Sequence, residues 1–193
     1  MDSQTLLSLL VGVGLAAACG FRVFVPLLVM SAAAQAGHLA LASGFEWIGT
    51  RPALIAFAAA TVLEVLGYFI PFVDHLLDVA AAPAAAVAGI VAMASSLGGM
   101  SPFLRWSLAI VAGGGVASLV HFGTGAVRLA STAATGGLGN PAVASAELGG
   151  AATLSILAIA VPLVAAALLA LLAYLAWRAV GMGRSAQPLR GRR

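Results

Sequence analysis

Five apolar stretches separated by short polar segments take up most of this chain, and that pattern limits its folds more than any other feature. They run from about Thr5 to Ala34, Pro52 to Ile70, Val79 to Leu97, Pro102 to about Ala130, and about Pro141 to Arg178. A helix crosses a bilayer in about 20 residues, so the first, fourth and fifth stretches are longer than a crossing requires and must tilt, break or protrude. Composition agrees. Hydrophobic residues make up 62% of the chain and charged residues 8%, with a mean hydropathy of +1.10, whereas a soluble domain carries roughly 25% charged residues. So little polar surface cannot cover a particle in water. The sequence predicts an all-α fold, a polytopic membrane helical bundle of about five spans. One transmembrane domain over residues 1–180 would be followed by a basic cytoplasmic tail, 181–193.

Helix starts are legible. Thr50-Arg51-Pro52, Ser101-Pro102 and Asn140-Pro141 each put a capping side chain just before a proline, which has no N–H to leave unpaired. The stops are glycine pairs, Gly98-Gly99 and Gly136-Gly137. The N-terminal "MDSQT" holds an acid and no base, unlike a secretory leader, and the apolar run continues past Cys19 through "VFVPLLVM". The first stretch therefore reads as a retained span. A single cysteine excludes an internal disulfide and a cysteine-based metal cluster.

Arginine placement sets the expected orientation. There are nine arginines and no lysine, five of them between Arg178 and Arg193. This tail follows an apolar helix directly, which fits a membrane-surface anchor rather than nucleic-acid binding. Five spans with the N-terminus outside would put Arg51, Arg105 and the tail inside and only Arg128 outside. The expected localisation is a bacterial inner (cytoplasmic) membrane, multi-pass, N-terminus outside and C-terminus cytoplasmic.

Alanine and glycine fill the spans, as in "AAAPAAAVAG" and "VAGGGVAS". Small side chains let helices approach closely where lipid gives no hydrophobic reason to associate. They suit tight packing, a homo-oligomeric face or a thin-walled path. "STAATGGLGNPAVASAELGG", residues 131–150, is long, small and polar but weakly charged. It reads as a broken or re-entrant segment lining a cavity, or as an ordinary loop.

Charges inside a bilayer cost at least about 2.5–3.5 kcal/mol each and draw attention to function. Arg22 lies deep in the first stretch and Glu64 deep in the second. Each is twelve residues from the inner end of its span, roughly 18 Å at 1.5 Å per residue. They form a candidate intramembrane polar pair, serving either helix register or a substrate or proton path. A second, outer cluster gathers Asp74, Asp78, His121, Arg128, Asn140 and Glu147. Asp74 and Asp78 are one turn apart and share a helix face. They are candidates for a divalent cation, partners for Arg128, or hydrated acids at a helix start. No His/Cys/Asp grouping has zinc spacing, and "GGLGNP" lacks the lysine of a phosphate loop. No cofactor is expected beyond such a cation.

The segments "GLAAACGFRVFVPLLVMS", "EVLGYFIPFVDHLLDVAAAP", "LRWSLAIVAGGG" and "RLASTAATGGLGNPAVASAELGG" resemble bacterial multi-span proteins grouped as domain of unknown function 4126. The resemblance covers roughly residues 14–172. It implies an inner-membrane helical protein and supplies no activity, substrate or catalytic residue.

Three functions follow as expectations. A small transporter or channel for an ion or small polar solute would explain charge at mid-depth in a chain with no soluble domain. A membrane-embedded enzyme would hold a lipid phosphate or isoprenoid diphosphate through a metal at Asp74 and Asp78, but a second acidic motif is missing, so the balance falls against an enzyme. A non-catalytic assembly or scaffold protein would leave both clusters structural. The partners implied are the lipid bilayer, a second copy of the chain and an ion or solute, with no nucleic acid.

Overall fold

The computed structural model describes the backbone of residues 3–67 and 71–185, and their side chains apart from those of 71–79 and 179–185. Among these residues the fold is helical, without strands. The helices are α1 (Ser3–Phe21), α2 (Phe24–Gln35), α3 (Arg51–Gly67), α4 (Pro71–Ser96), α5 (Pro102–Leu108), α6 (Gly115–Thr135), α7 (Asn140–Ala160) and α8 (Pro162–Ser185). A π-helical stretch, Ala109–Gly114, joins α5 to α6, so Pro102–Thr135 is one helix of 34 residues. That helix, α1 and α7 are each long and apolar enough to cross a membrane. The molecule is a membrane helical bundle.

The first apolar stretch is two helices rather than one span. Pro26 explains the break. A proline cannot bond back to the residue four before it, and its ring collides with that carbonyl. The residue four before Pro26 is Arg22, and α1 makes its last turn with Arg22 N–H donating to the Ala18 carbonyl at 3.2 Å. Pro26 is tolerated in the first turn of α2.

The two halves reverse direction. Along α1, Gly14 abuts Ala158 and Phe21 faces Gly150, so α1 runs antiparallel to α7. Arg22 then reaches Ala144, while Val29 and Ala33 of α2 share a groove with Ile156 and Ile159. Thus α2 runs parallel to α7, and α1–α2 is a helical hairpin with its tip at Arg22–Val23. The N-terminal end of α1 consequently lies at the same end of the bundle as the 36–50 loop. There Gly12 packs on Met93 and Ser96, the Ala42 N–H donates to the Ser95 carbonyl at 2.7 Å, and Arg105 donates to the Ser43 carbonyl at 3.1 Å. An N-terminus outside with Arg51 and Arg105 inside is therefore not available to this fold. The expectation assumed an uninterrupted first span.

The fifth stretch also divides. Pro162 cannot donate to α7, and Val161 before it leaves the helical region (φ −143°, ψ 72°), as residues preceding proline tend to do. Ala165 still packs against Gly14, but residues 171–178 are exposed, as expected of a lipid-facing helix.

Segment 131–150 is not irregular. It is the end of α6, a tight turn and the start of α7. Gly136 takes the left-handed conformation (φ 64°) and Gly137 follows at φ 93°, which only glycine adopts at little cost. Two of the hydroxyls there bond within their own helices. Thr135 Oγ1 donates to the Ser131 carbonyl at 2.7 Å and Ser145 Oγ to that of Pro141 at 2.8 Å. Ser101 and Thr50 cap as expected, accepting from Leu104 N–H and Ala53 N–H. Asn140 does not: it is inside α7, and its amide donates to Thr132 Oγ1 at 3.0 Å.

Close packing in the centre rests on glycine. A Cβ on Gly89 of α4 would stand 2.6 Å from the Gly113 carbonyl oxygen, and one on Gly20 of α1 would stand 2.5 Å from the Ala117 oxygen. Three helices meet there at backbone distance, the kind of contact that holds helices together in lipid.

Candidate functional site

Four ionisable side chains converge where the hairpin tip enters the bundle. Arg22, Glu64, Arg128 and Glu147 are 2%, 7%, 9% and 4% exposed. Each is delivered by a local rule. Arg22 comes from the proline-imposed break. Arg128 and Glu147 come from the α6–α7 hairpin: one lies eight residues before Gly136, the other eight after Gly139. Antiparallel helices at equal distance from their turn bring such residues level.

Glu147 is the hub. Its Oε1 accepts from Arg128 Nε at 3.0 Å, and its Oε2 accepts from the Arg128 terminal nitrogen. This is the two-pronged geometry that a guanidinium favours. Oε2 also lies 3.3 Å from a terminal nitrogen of Arg22. That nitrogen donates to the Ala144 carbonyl at 3.0 Å, tying the hairpin tip to α7.

Glu64 joins the cluster through the backbone of the hairpin tip. Its Oε1 accepts the Val23 N–H at 2.9 Å and its Oε2 accepts the Phe24 N–H at 3.2 Å. These are free donors at the start of α2, where Val23 supplies no side-chain cap of its own. A carboxylate suits the positive end of a helix. Arg22, one residue beyond the last of α1, suits the negative end of that helix by the same reasoning. The hairpin thus exposes two helix ends inside the bundle, and each meets a charge of opposite sign.

Arg128 and Glu147 also form part of the wall of an open cavity of about 410 Å³. His121 and Thr124 of α6 line it, with Phe21 and Ala82 opposite. Thr124 Oγ1 donates to the His121 carbonyl at 2.9 Å, which turns it towards its own helix. The His121 ring stacks edge-on to Phe122, centroids 6.1 Å apart. Asn140 is spent on Thr132 at the α6–α7 turn and does not line the cavity. Asp74 and Asp78 fall in the first turns of α4, one turn apart. Their side chains lie outside the described residues, and with them the divalent-cation expectation.

The family's sequence profile, described as Domain of unknown function (DUF4126), matches residues 9–181. The chain belongs to the DUF4126 family. No curated protein and no solved structure matches it. The profile covers every part of the charged cluster, from the hairpin tip at Arg22 to Glu147 on α7. The cluster therefore lies within the DUF4126 domain rather than in an appended segment.

Sequence reasoning found all four charged residues and placed Arg128 with Glu147, but it set Arg22 and Glu64 apart as a separate pair. The signal for Arg128–Glu147 was their equal distance from the glycine turn. The signal for the break was Pro26.

Proposed function

We propose that this DUF4126 protein is a permease, a transporter or channel carrying an ion or small polar solute across a bacterial inner membrane. The observation that carries this reading is the buried Arg22–Glu147–Arg128 cluster at two facing helix ends, bordering an open cavity in a largely apolar bundle. Interrupted helices whose ends meet inside a membrane protein are a recurrent way to bind solutes there. Stability alone gives a weak reason to keep such a cluster, since apolar side chains often replace buried ion pairs without loss. The end of the bundle bearing Arg51, Arg105, Trp47 and Trp106 is taken as cytoplasmic, because basic residues favour that face and tryptophan favours interfaces. The N-terminus goes with it.

The test is reconstitution in liposomes and a swelling assay over salts, small carboxylates, amino acids and sugars. Vesicles with protein should admit at least one solute faster than empty vesicles, and Glu147→Gln should change that rate. If no solute enters faster, the permease reading falls and the scaffold reading takes its place.

A further inference from the structure

An imidazole stands well inside the longest helix of the bundle with no described residue bonded to its nitrogens. His121 lies fourteen residues before the end of the helix Pro102–Thr135, about 21 Å along its axis, and farther still from its start. Its ring packs edge-on against Phe122, and neither ring nitrogen has a hydrogen bond to a described residue. Polar groups at such depth ordinarily hold a partner, because the bilayer has no water to serve as one.

The cavity that His121 lines has room for that partner. Its volume is about 410 Å³, the size of an ordinary small-molecule pocket. Its described wall is mostly apolar, with Phe21, Ala82, Phe122, Ala126 and Leu129. Phe122 and Leu129 are 65% and 74% exposed, so the rim opens on the outer surface of the bundle, where lipid stands. The other polar side chains of the wall are engaged. Thr124 donates to its own helix, and Arg128 holds Glu147. Arg22 and Arg128 balance Glu64 and Glu147 in charge, so the described residues favour neither an anion nor a cation. His121 is the polar group left to choose the ligand.

In its neutral form an imidazole donates from one nitrogen and accepts at the other. A hydroxyl does both, so it pairs with the ring whichever nitrogen faces the cavity. A charged head carried to this depth is opposed by the bilayer, whereas a hydroxyl costs far less to bring there. We propose that this cavity binds a neutral amphiphile, an apolar chain ending in a hydroxyl. The ligand enters from the bilayer between Phe122 and Leu129 and bonds to the His121 ring. This goes beyond the permease reading, because the ligand comes from lipid rather than from water.

Gly125 and His121 provide the means of testing it. Gly125 lines the cavity, and a Cβ added there meets no described residue within 4 Å. Gly125→Leu therefore fills the cavity, and it improves helix propensity. Gly123 is equally open but is not part of the wall, so Gly123→Leu is the matched control. His121→Phe keeps an aromatic ring and removes both nitrogens.

The protein in phosphatidylcholine nanodiscs is titrated with dodecanol. Dodecane, dodecanoate and dodecyltrimethylammonium serve as comparisons. Dodecanol should raise Tm by at least about 5 °C at saturation in wild type and Gly123→Leu, but not in Gly125→Leu or His121→Phe. No rise in wild type, an equal rise with any of the three comparison molecules, or a full rise in Gly125→Leu or His121→Phe would overturn the proposal. A second measurement needs no variant: a long-chain alcohol carrying a diazirine beside its hydroxyl is photolysed in the same nanodiscs. The label should fall on the peptide containing residues 121–129 and be displaced by dodecanol but not by dodecane. Labelling confined to other helices, or equal displacement by dodecane, would overturn the site. Alcohol binding without solute flux retires the permease and keeps this site. Flux without alcohol binding retires this site and keeps the permease.

Discussion

Arg22 closes one helix and Glu64 opens the next, at the two sides of a single break. Arg22 follows the last residue of α1, and Glu64 reaches across from α3 to accept the Val23 and Phe24 N–H groups of α2. Charge of each sign sits at the helix end it suits.

Glu64→Ala should therefore behave as loss of a cap, costing about 1–3 kcal/mol. Glu64→Gln keeps an acceptor oxygen and should lose less than half as much. Thermal unfolding in detergent orders the two, and equal losses would mean that the backbone bonds contribute nothing.

Glu147 should matter more than either arginine it holds. Glu147→Gln takes the shared carboxylate from two guanidiniums, whereas Arg128→Gln leaves Glu147 with Arg22. Breaking a buried pair from one side costs about 3–5 kcal/mol. The double change Arg128→Gln/Glu147→Gln should cost less than the sum of the singles. Additive losses, measured by the same unfolding assay, would show that the residues do not act together.

Close approach at the centre gives a packing prediction. Gly89→Ala and Gly113→Ala each put a methyl group 2.6 Å from the other helix's carbonyl oxygen, a collision costing about 1–3 kcal/mol. Gly115→Ala, where an added Cβ meets no described residue within 4 Å, should be neutral or mildly stabilising. Thermal stability that does not separate Gly115 from the other two would refute the backbone contact.

The hairpin predicts sidedness. Cysteines at Ser3 and Ser43 should react with an impermeant maleimide from one side of the membrane, and a cysteine at Leu138 from the other. Native Cys19 is fully buried and should stay unlabelled. Reaction of the Ser3 and Ser43 positions from opposite sides would restore an uninterrupted first span.

What could be read from the sequence was whatever one residue decides locally. Pro52 and Pro102, with their preceding caps, marked helix starts, and Gly136-Gly137 marked a stop. The Arg22 break was marked just as plainly by Pro26, but hydrophobicity on both sides masked it, because an apolar run reads as continuous whether or not its backbone is. Residues 131–150 misled for the opposite reason. Serine and threonine look like a loop in composition, yet inside their helices Thr135 and Ser145 bond back to carbonyls four residues earlier. Of the carboxylates around Arg22, the sequence pointed to Glu64 and not to Glu147. Equal depth suggested Glu64, but which of two carboxylates faces a guanidinium depends on helix rotation. That is set by glycine contacts such as Gly20 on Ala117, which hydrophobicity does not record.

A helical hairpin that enters and leaves by the same face has a consequence for how the protein is made. Its arginine travels inward on the tip and never has to be carried through to the far side. The turn between α6 and α7, at the other end of the bundle, is Gly136-Gly137-Leu138-Gly139 and carries no charge. Insertion of α6 and α7 can thus precede docking of α1–α2, and the carboxylate of Glu147 is then already waiting to receive Arg22. The helices α1 and α2, made before α6 and α7, are fitted to reach their final place after them.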